Sequence, residues 1–142
     1  MYKKILLPTD GSGFAEEEAE RATKLLADGG EVIVLSVAGK LTSSAFQSRS
    51  NVKKVNRGLY KEAEDNVAHM LKQFDETVNV KGMVVVGFPA EKIIEVSEKE
   101  KADLIIISAS GKSGLHRFIL GSVTEKVLKT SEIDVLLIPS KE

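Results

Sequence analysis

The chain has no cysteine and no tryptophan, and only three prolines and two histidines in 142 residues. Without cysteine there is no disulfide, no thiol nucleophile and no zinc–thiolate centre. Two histidines remote in sequence, His69 and His116, do not form a ligand cluster. No G-x-S-x-G elbow accompanies them, so a hydrolytic site is not expected. A surplus of one charge sign is also missing: the formal net charge is −1, which gives no general attraction to nucleic acid or to a membrane surface. Aromatic residues make up only 5% and are not spaced for stacking on bases. No apolar run approaches the roughly 20 residues that cross a bilayer. The opening Met1-Tyr2-Lys3-Lys4-Ile5 enters a strand-like run without a signal-peptide core. These absences lead us to expect one globular domain in the cytoplasm, with no nucleic-acid or membrane partner.

What is present is an alternation of short apolar runs and amphipathic stretches. Lys3–Leu7 reads as a strand ended by Pro8-Thr9-Asp10-Gly11-Ser12-Gly13. Ala15, Ala19, Ala22 and Leu26 then recur at helical spacing to about Ala27, where Gly29-Gly30 should stop the helix. The acids at its start, Glu16, Glu17, Glu18 and Glu20, suit the positive end of a helix dipole. Glu31–Val37 (EVIVLSV) is a strand apolar on both faces. Residues Gly39–Gly58 read as a long polar loop. Between Val32 and Lys61 there is no acid, whereas Lys40, Arg49, Lys53, Lys54, Arg57 and Lys61 are basic. That stretch is either a solvated loop or a basic flap able to approach phosphates. Leu59, Ala63, Val67, Met70, Leu71 and Phe74 mark the next helix, and Val80–Val86 the next strand. Pro89 opens a helix through Ile93 and Ile94, Asp103–Ile107 is a strand, and a helix from Ser122 precedes the strand Asp134–Ile138. Strands alternating with helices predict an α/β, doubly wound, five-stranded parallel sheet with helices on both faces, Rossmann-like. Residues 1–142 form one domain on this reading, and ligands belong at the C-terminal rim of the strands.

The segment Ser108–Val123 is the richest to reach that rim. Gly111, Gly114 and Gly121 let main-chain N–H groups approach an anion. The helix opening at Gly121-Ser122 adds positive potential, with the Ser122 hydroxyl as cap or phosphate donor. Lys112 and Arg117 are nearby cations. The plainer alternative is an ordinary strand-to-helix connection. Gly111-Lys112-Ser113 is not a Walker A loop, because Ile106 stands where that motif needs its first glycine. Asp10-Gly11-Ser12-Gly13 fails as a dinucleotide fingerprint, because Glu16 stands where the third glycine belongs. Asp10 is then either a cap for the first helix or a polar contact to a ligand. A phospho-receiver domain is rejected, because Gly87-Phe88 replaces the acceptor aspartate after strand three.

The chain resembles the universal stress protein family, in its ATP-binding branch, from end to end. The resemblance is carried by KKILLPTDGSGFAEEEAERA, by Gly87-Phe88-Pro89 leading to ADLIIIS, and by Gly121-Ser122-Val123-Thr124-Glu125-Lys126-Val127-Leu128 leading to DVLLIP. The family's nucleotide motif, G-x2-G-x9-G-[ST], is met at Gly111, Gly121 and Ser122, whereas Ser108 stands in place of its first glycine. The resemblance implies an adenine nucleotide alpha hydrolase-like fold. It implies Gly111, Gly121, Ser122 and Val123 at the phosphates and ribose, and Pro8, Thr9, Asp10 and Val37 at the adenine and ribose. Ile107 and Ser108 would lend main chain between them. The Ser108 side chain either narrows the pocket or, with Ser110, donates to a phosphate. The implied ligand is ATP, with AMP or ADP as alternatives and Mg or Mn on the phosphates. The implied role is a regulatory stress-response module, dimerising through its last strand, Asp134 to Pro139. The competing readings are a slow ATP hydrolase or phosphotransfer enzyme using the same pocket, and a nucleotide-free dimeric scaffold.

Overall fold

Alternation along the strands sorts their side chains into two cores. Ile5, Leu7, Val32, Val34, Leu104 and Ile106 enter one, and Leu6, Ile33, Leu35, Ile105 and Ile107 enter the other. In the computed structural model, which describes residues 1–12, 15–42, 48–109 and 120–139, both cores are covered by helices. The elements are β1 (Tyr2–Pro8), α1 (Ala15–Leu25), β2 (Leu26–Ala38), α2 (Arg49–Leu71), β3 (Val80–Val86), α3 (Pro89–Lys99), β4 (Leu104–Ser108), α4 (Ser122–Thr130) and β5 (Asp134–Ile138). All strand pairs are parallel, in the order β3-β2-β1-β4-β5. Ala19 and Ala22 of α1 and Val67 and Met70 of α2 pack on one face of the sheet. Ala90, Ile93 and Val96 of α3 and Val127 of α4 pack on the other. This is the doubly wound arrangement expected, and the strand order reverses direction between β1 and β4.

Three boundaries differ from expectation. Residues 49–58 are helical, so the polar loop expected over residues 39–58 ends by Ser48. Ser48 caps α2 by accepting the Asn51 amide at 3.3 Å. Such a cap satisfies a first-turn donor, and Val52 adds a buried contact beside it. The first helix ends at Leu25, two residues early, and β2 starts at Leu26. The register shifts between the pairs Tyr2↔Leu26 and Lys4↔Glu31, as at a bulge. Gly29, within that interval, adopts φ 77°. Asp103 lies just outside β4, and its carboxylate accepts the amides of Lys3 and Lys4 at 3.0 and 2.9 Å.

Candidate functional site

The ends of β1, β2 and β4 and the start of α4 arrive at one rim of the sheet. Pro8 is the last residue of β1 and pairs with Leu35 of β2, two residues before Val37. The Thr9 amide continues the ladder by donating to the Leu35 carbonyl at 2.8 Å. Beyond it the chain turns sharply. Thr9 Oγ1 accepts the Gly11 amide at 3.2 Å, and Asp10 Oδ1 accepts the Ser12 amide at 2.9 Å. The Ser12 hydroxyl also donates to Asp10 Oδ1, so the aspartate closes a local side-chain turn. Gly11 sits at φ 87°, with the Asn66 side chain of α2 against it. Asp10 therefore shapes its own turn, and the first helix starts five residues on, at Ala15.

Ser108 ends β4 opposite this turn. Its hydroxyl donates to Oε1 of Glu18 at 2.6 Å, and Glu18 is a buried side chain of α1. The Ser108 carbonyl accepts the Thr124 hydroxyl of α4 at 2.7 Å. The serine thus joins β4 to both flanking helices, with its hydroxyl turned toward α1.

Two main-chain bonds seat α4. The Ala109 amide donates to Ile138 and the Gly121 amide donates to Ala109, both at 2.8 Å. Gly121 is the N-cap of α4, at φ −64° and ψ 154°, and as a glycine it offers no side chain to the helix start. Ser122 occupies the first helical position and is exposed, so the capping place expected for it belongs to Gly121. Among the described residues no side chain accepts from the first-turn amides of α4. Val123 and Val37 are partly buried, both against the core beneath α3 and α4. Of the residues expected at the site, Pro8, Thr9, Asp10, Val37, Ile107, Ser108, Gly121, Ser122 and Val123 converge on this rim. Gly111, Lys112, Ser110 and Arg117 lie outside the described residues.

Sequence reasoning did not single out Glu18, Thr124 or Asn66. Glu18 had a signal: it lies three residues after Ala15 and four before Ala22, on the stripe that α1 buries. The acids around it masked that position. Among the described residues no group of three His, Cys, Asp or Glu side chains is placed to hold a metal ion. Nor is any helix among them long and apolar enough to cross a membrane.

Comparison with known proteins agrees with this geometry. Residues 1–139 match the Universal stress protein family. Universal stress protein MJ0531 of Methanocaldococcus jannaschii is 34% identical, over 100% of this chain and 86% of that protein. Universal stress protein MJ0577 of the same organism is 35% identical over 99% of this chain and 97% of its own length. The solved structure of MJ0577 superposes with a TM-score of 0.80, covering 97% of this chain and 96% of that one. A universal stress protein solved in complex with cAMP shares the fold at 24% identity and a TM-score of 0.59, with 96% of each chain covered.

Proposed function

Because this chain belongs to the universal stress protein family, we propose that it binds an adenine nucleotide in the crevice between β1, β4 and α4 and acts as a regulatory module. The observation that carries the reading is the start of α4. Its cap is a glycine, with no side chain to accept the first-turn amides, and none of the described residues supplies one; it lies beside Ser122, at the point where the strand order reverses. Such amides and the helix dipole suit a phosphate. Gly121, Ser122 and Val123, with Gly111, take the phosphates and ribose, and Pro8, Thr9, Asp10 and Val37 border the adenosine. Ile107 and Ser108 supply main chain between them.

ATP is the preferred ligand on this reading, ahead of ADP and AMP. A divalent ion would travel on its phosphates. The cAMP complex of a distant relative supports the fold as a platform for adenine nucleotides, and this chain's own rim supplies the donors. The nucleotide content of the purified protein, followed by calorimetric titration with ATP, ADP and AMP, tests the proposal. Gly121→Asp sets a carboxylate against the phosphates and should abolish binding. Unchanged affinity in that variant would mean that the pocket lies elsewhere. Pairing of two copies through β5, an edge strand, completes the proposal. Sedimentation equilibrium would test it, and a monomer at all concentrations would remove the dimer.

A further inference from the structure

A cavity of about 750 Å³ opens on the α2 side of the sheet, between the N-terminal half of α2 and the ends of β2 and β3. Its origin is a divergence of helix and sheet. At Gly82 the two are so close that an added Cβ would overlap Val67 Cγ1. Four residues along β3, Val86 lies on the same face of the sheet, because strand side chains alternate. Val86 is 42% exposed, and Tyr60 of α2 is 40% exposed. The gap between them is the groove.

One wall is held in place by α2 itself. Asn56 Oδ1 accepts the Leu41 amide at 2.7 Å, and Asn56 Nδ2 donates to the Leu41 carbonyl at 3.0 Å. This clamp fixes the chain that carries Lys40. Lys40, Lys53 and Arg57 line the groove with Ala38, Tyr60 and Val86, and Glu64 is the one acid among its lining residues. None of the three cations forms an ion pair among the described residues, and the sequence from Val32 to Lys61 supplies no acid to neutralise them. Lys61, by contrast, is taken up by Asp65 at 2.7 Å.

We propose that this groove is a second ligand site, for a small organic acid with a planar apolar body. Tyr60, Val86 and Ala38 would cover the body. Lys53, Arg57 and Lys40 would hold the carboxylate, phosphate or sulfonate, with the Arg57 fork able to grip two oxygens. The volume falls in the range of small-molecule pockets, roughly 300–1,000 Å³. The groove adjoins the proposed nucleotide crevice but lies on the other face of β2. Ala38 faces α2, whereas its neighbour Val37 packs beneath α3 and α4.

The test is an NMR titration of the full chain with 8-anilinonaphthalene-1-sulfonate, an aromatic anion, with and without saturating ATP. Amide shifts should centre on Lys40, Lys53, Arg57, Tyr60 and Val86 and persist when ATP is present. Lys53→Glu combined with Arg57→Glu should weaken binding roughly ten-fold or more while leaving the amide spectrum of the fold intact. Neutral N-phenyl-1-naphthylamine should bind more weakly than the sulfonate by a similar factor. Shifts centred on residues 9–12 and 121–123, displacement by ATP, or equal affinity in the charge-reversed variant or for the neutral probe would each overturn the proposal.

Discussion

Ser108 shows how one hydroxyl can change the meaning of a motif. A glycine at this position would leave Glu18 without the 2.6 Å bond that Ser108 donates, inside a buried part of α1. A hydrogen bond to a carboxylate is worth roughly 1.5–3 kcal/mol. Ser108→Gly and Ser108→Ala should therefore lower the unfolding free energy by about that amount in urea denaturation. Nucleotide affinity should hold or improve, because the hydroxyl is turned toward α1. A clear loss of affinity would show that the ligand uses it. Gly11 poses a different local problem. Its φ of 87° disfavours any side chain, and an added Cβ would stand 2.5 Å from Asn66 Oδ1. Gly11→Ala should lose about 1–2 kcal/mol from the torsion alone, plus the cost of moving Asn66. Adding Asn66→Ala should recover only the second part. Full recovery in that double variant would show that the torsion costs nothing here.

The helices and strands were legible in proportion to how apolar they are. β3 and β5 keep the bounds expected of them, and each ends where its aliphatic run does, before Gly87 and Pro139. α2 was not legible over residues 49–58, where Val52 is the one buried residue and polar side chains dominate. Its start is set by the Ser48 cap and by the Asn56 bonds to Leu41, neither of which has a hydrophobic period. Glu18 was hidden for the converse reason: an acid in a first turn already has an explanation in the helix dipole, so its burial left no separate mark. The tight approach of α2 to the sheet at Gly82 gives a direct test of its packing. Gly82→Ala should destabilise by about 1–3 kcal/mol, since Val67 is buried and cannot rotate away freely. Val67→Ala in the same chain should offset part of that loss, and a double-mutant cycle in urea would measure the coupling. Simple additivity of the two changes would place α2 further from β3 than it is here.

The two rims of the sheet differ in what they bring together. The C-terminal rim gathers the turn after β1, the end of β4 and the start of α4. The N-terminal rim ties strands together. There the Tyr2 hydroxyl at the start of β1 donates to Asp134 at the start of β5 at 2.7 Å, spanning the intervening β4. Family spacing directs attention to the first rim, but a bond between residues 132 apart in sequence has no local signature. The Asp134 hydrogen bond, with smaller contributions from burial and from the charges of Asp134 and Asp103, raises the Tyr2 phenol above its ordinary value. The sign follows from linkage. A group whose folded pKa is raised lends stability that is complete below its unfolded pKa, about 10, and is lost as pH climbs through the folded value. Tyr2→Phe has no such proton to lose. The stability difference between wild type and Tyr2→Phe should therefore be flat near neutrality and shrink above roughly pH 10. Urea denaturation of both proteins across that interval measures it. A difference that stays constant into the alkaline range would mean that Tyr2 and Asp134 do not join the outer strand to the centre of the sheet.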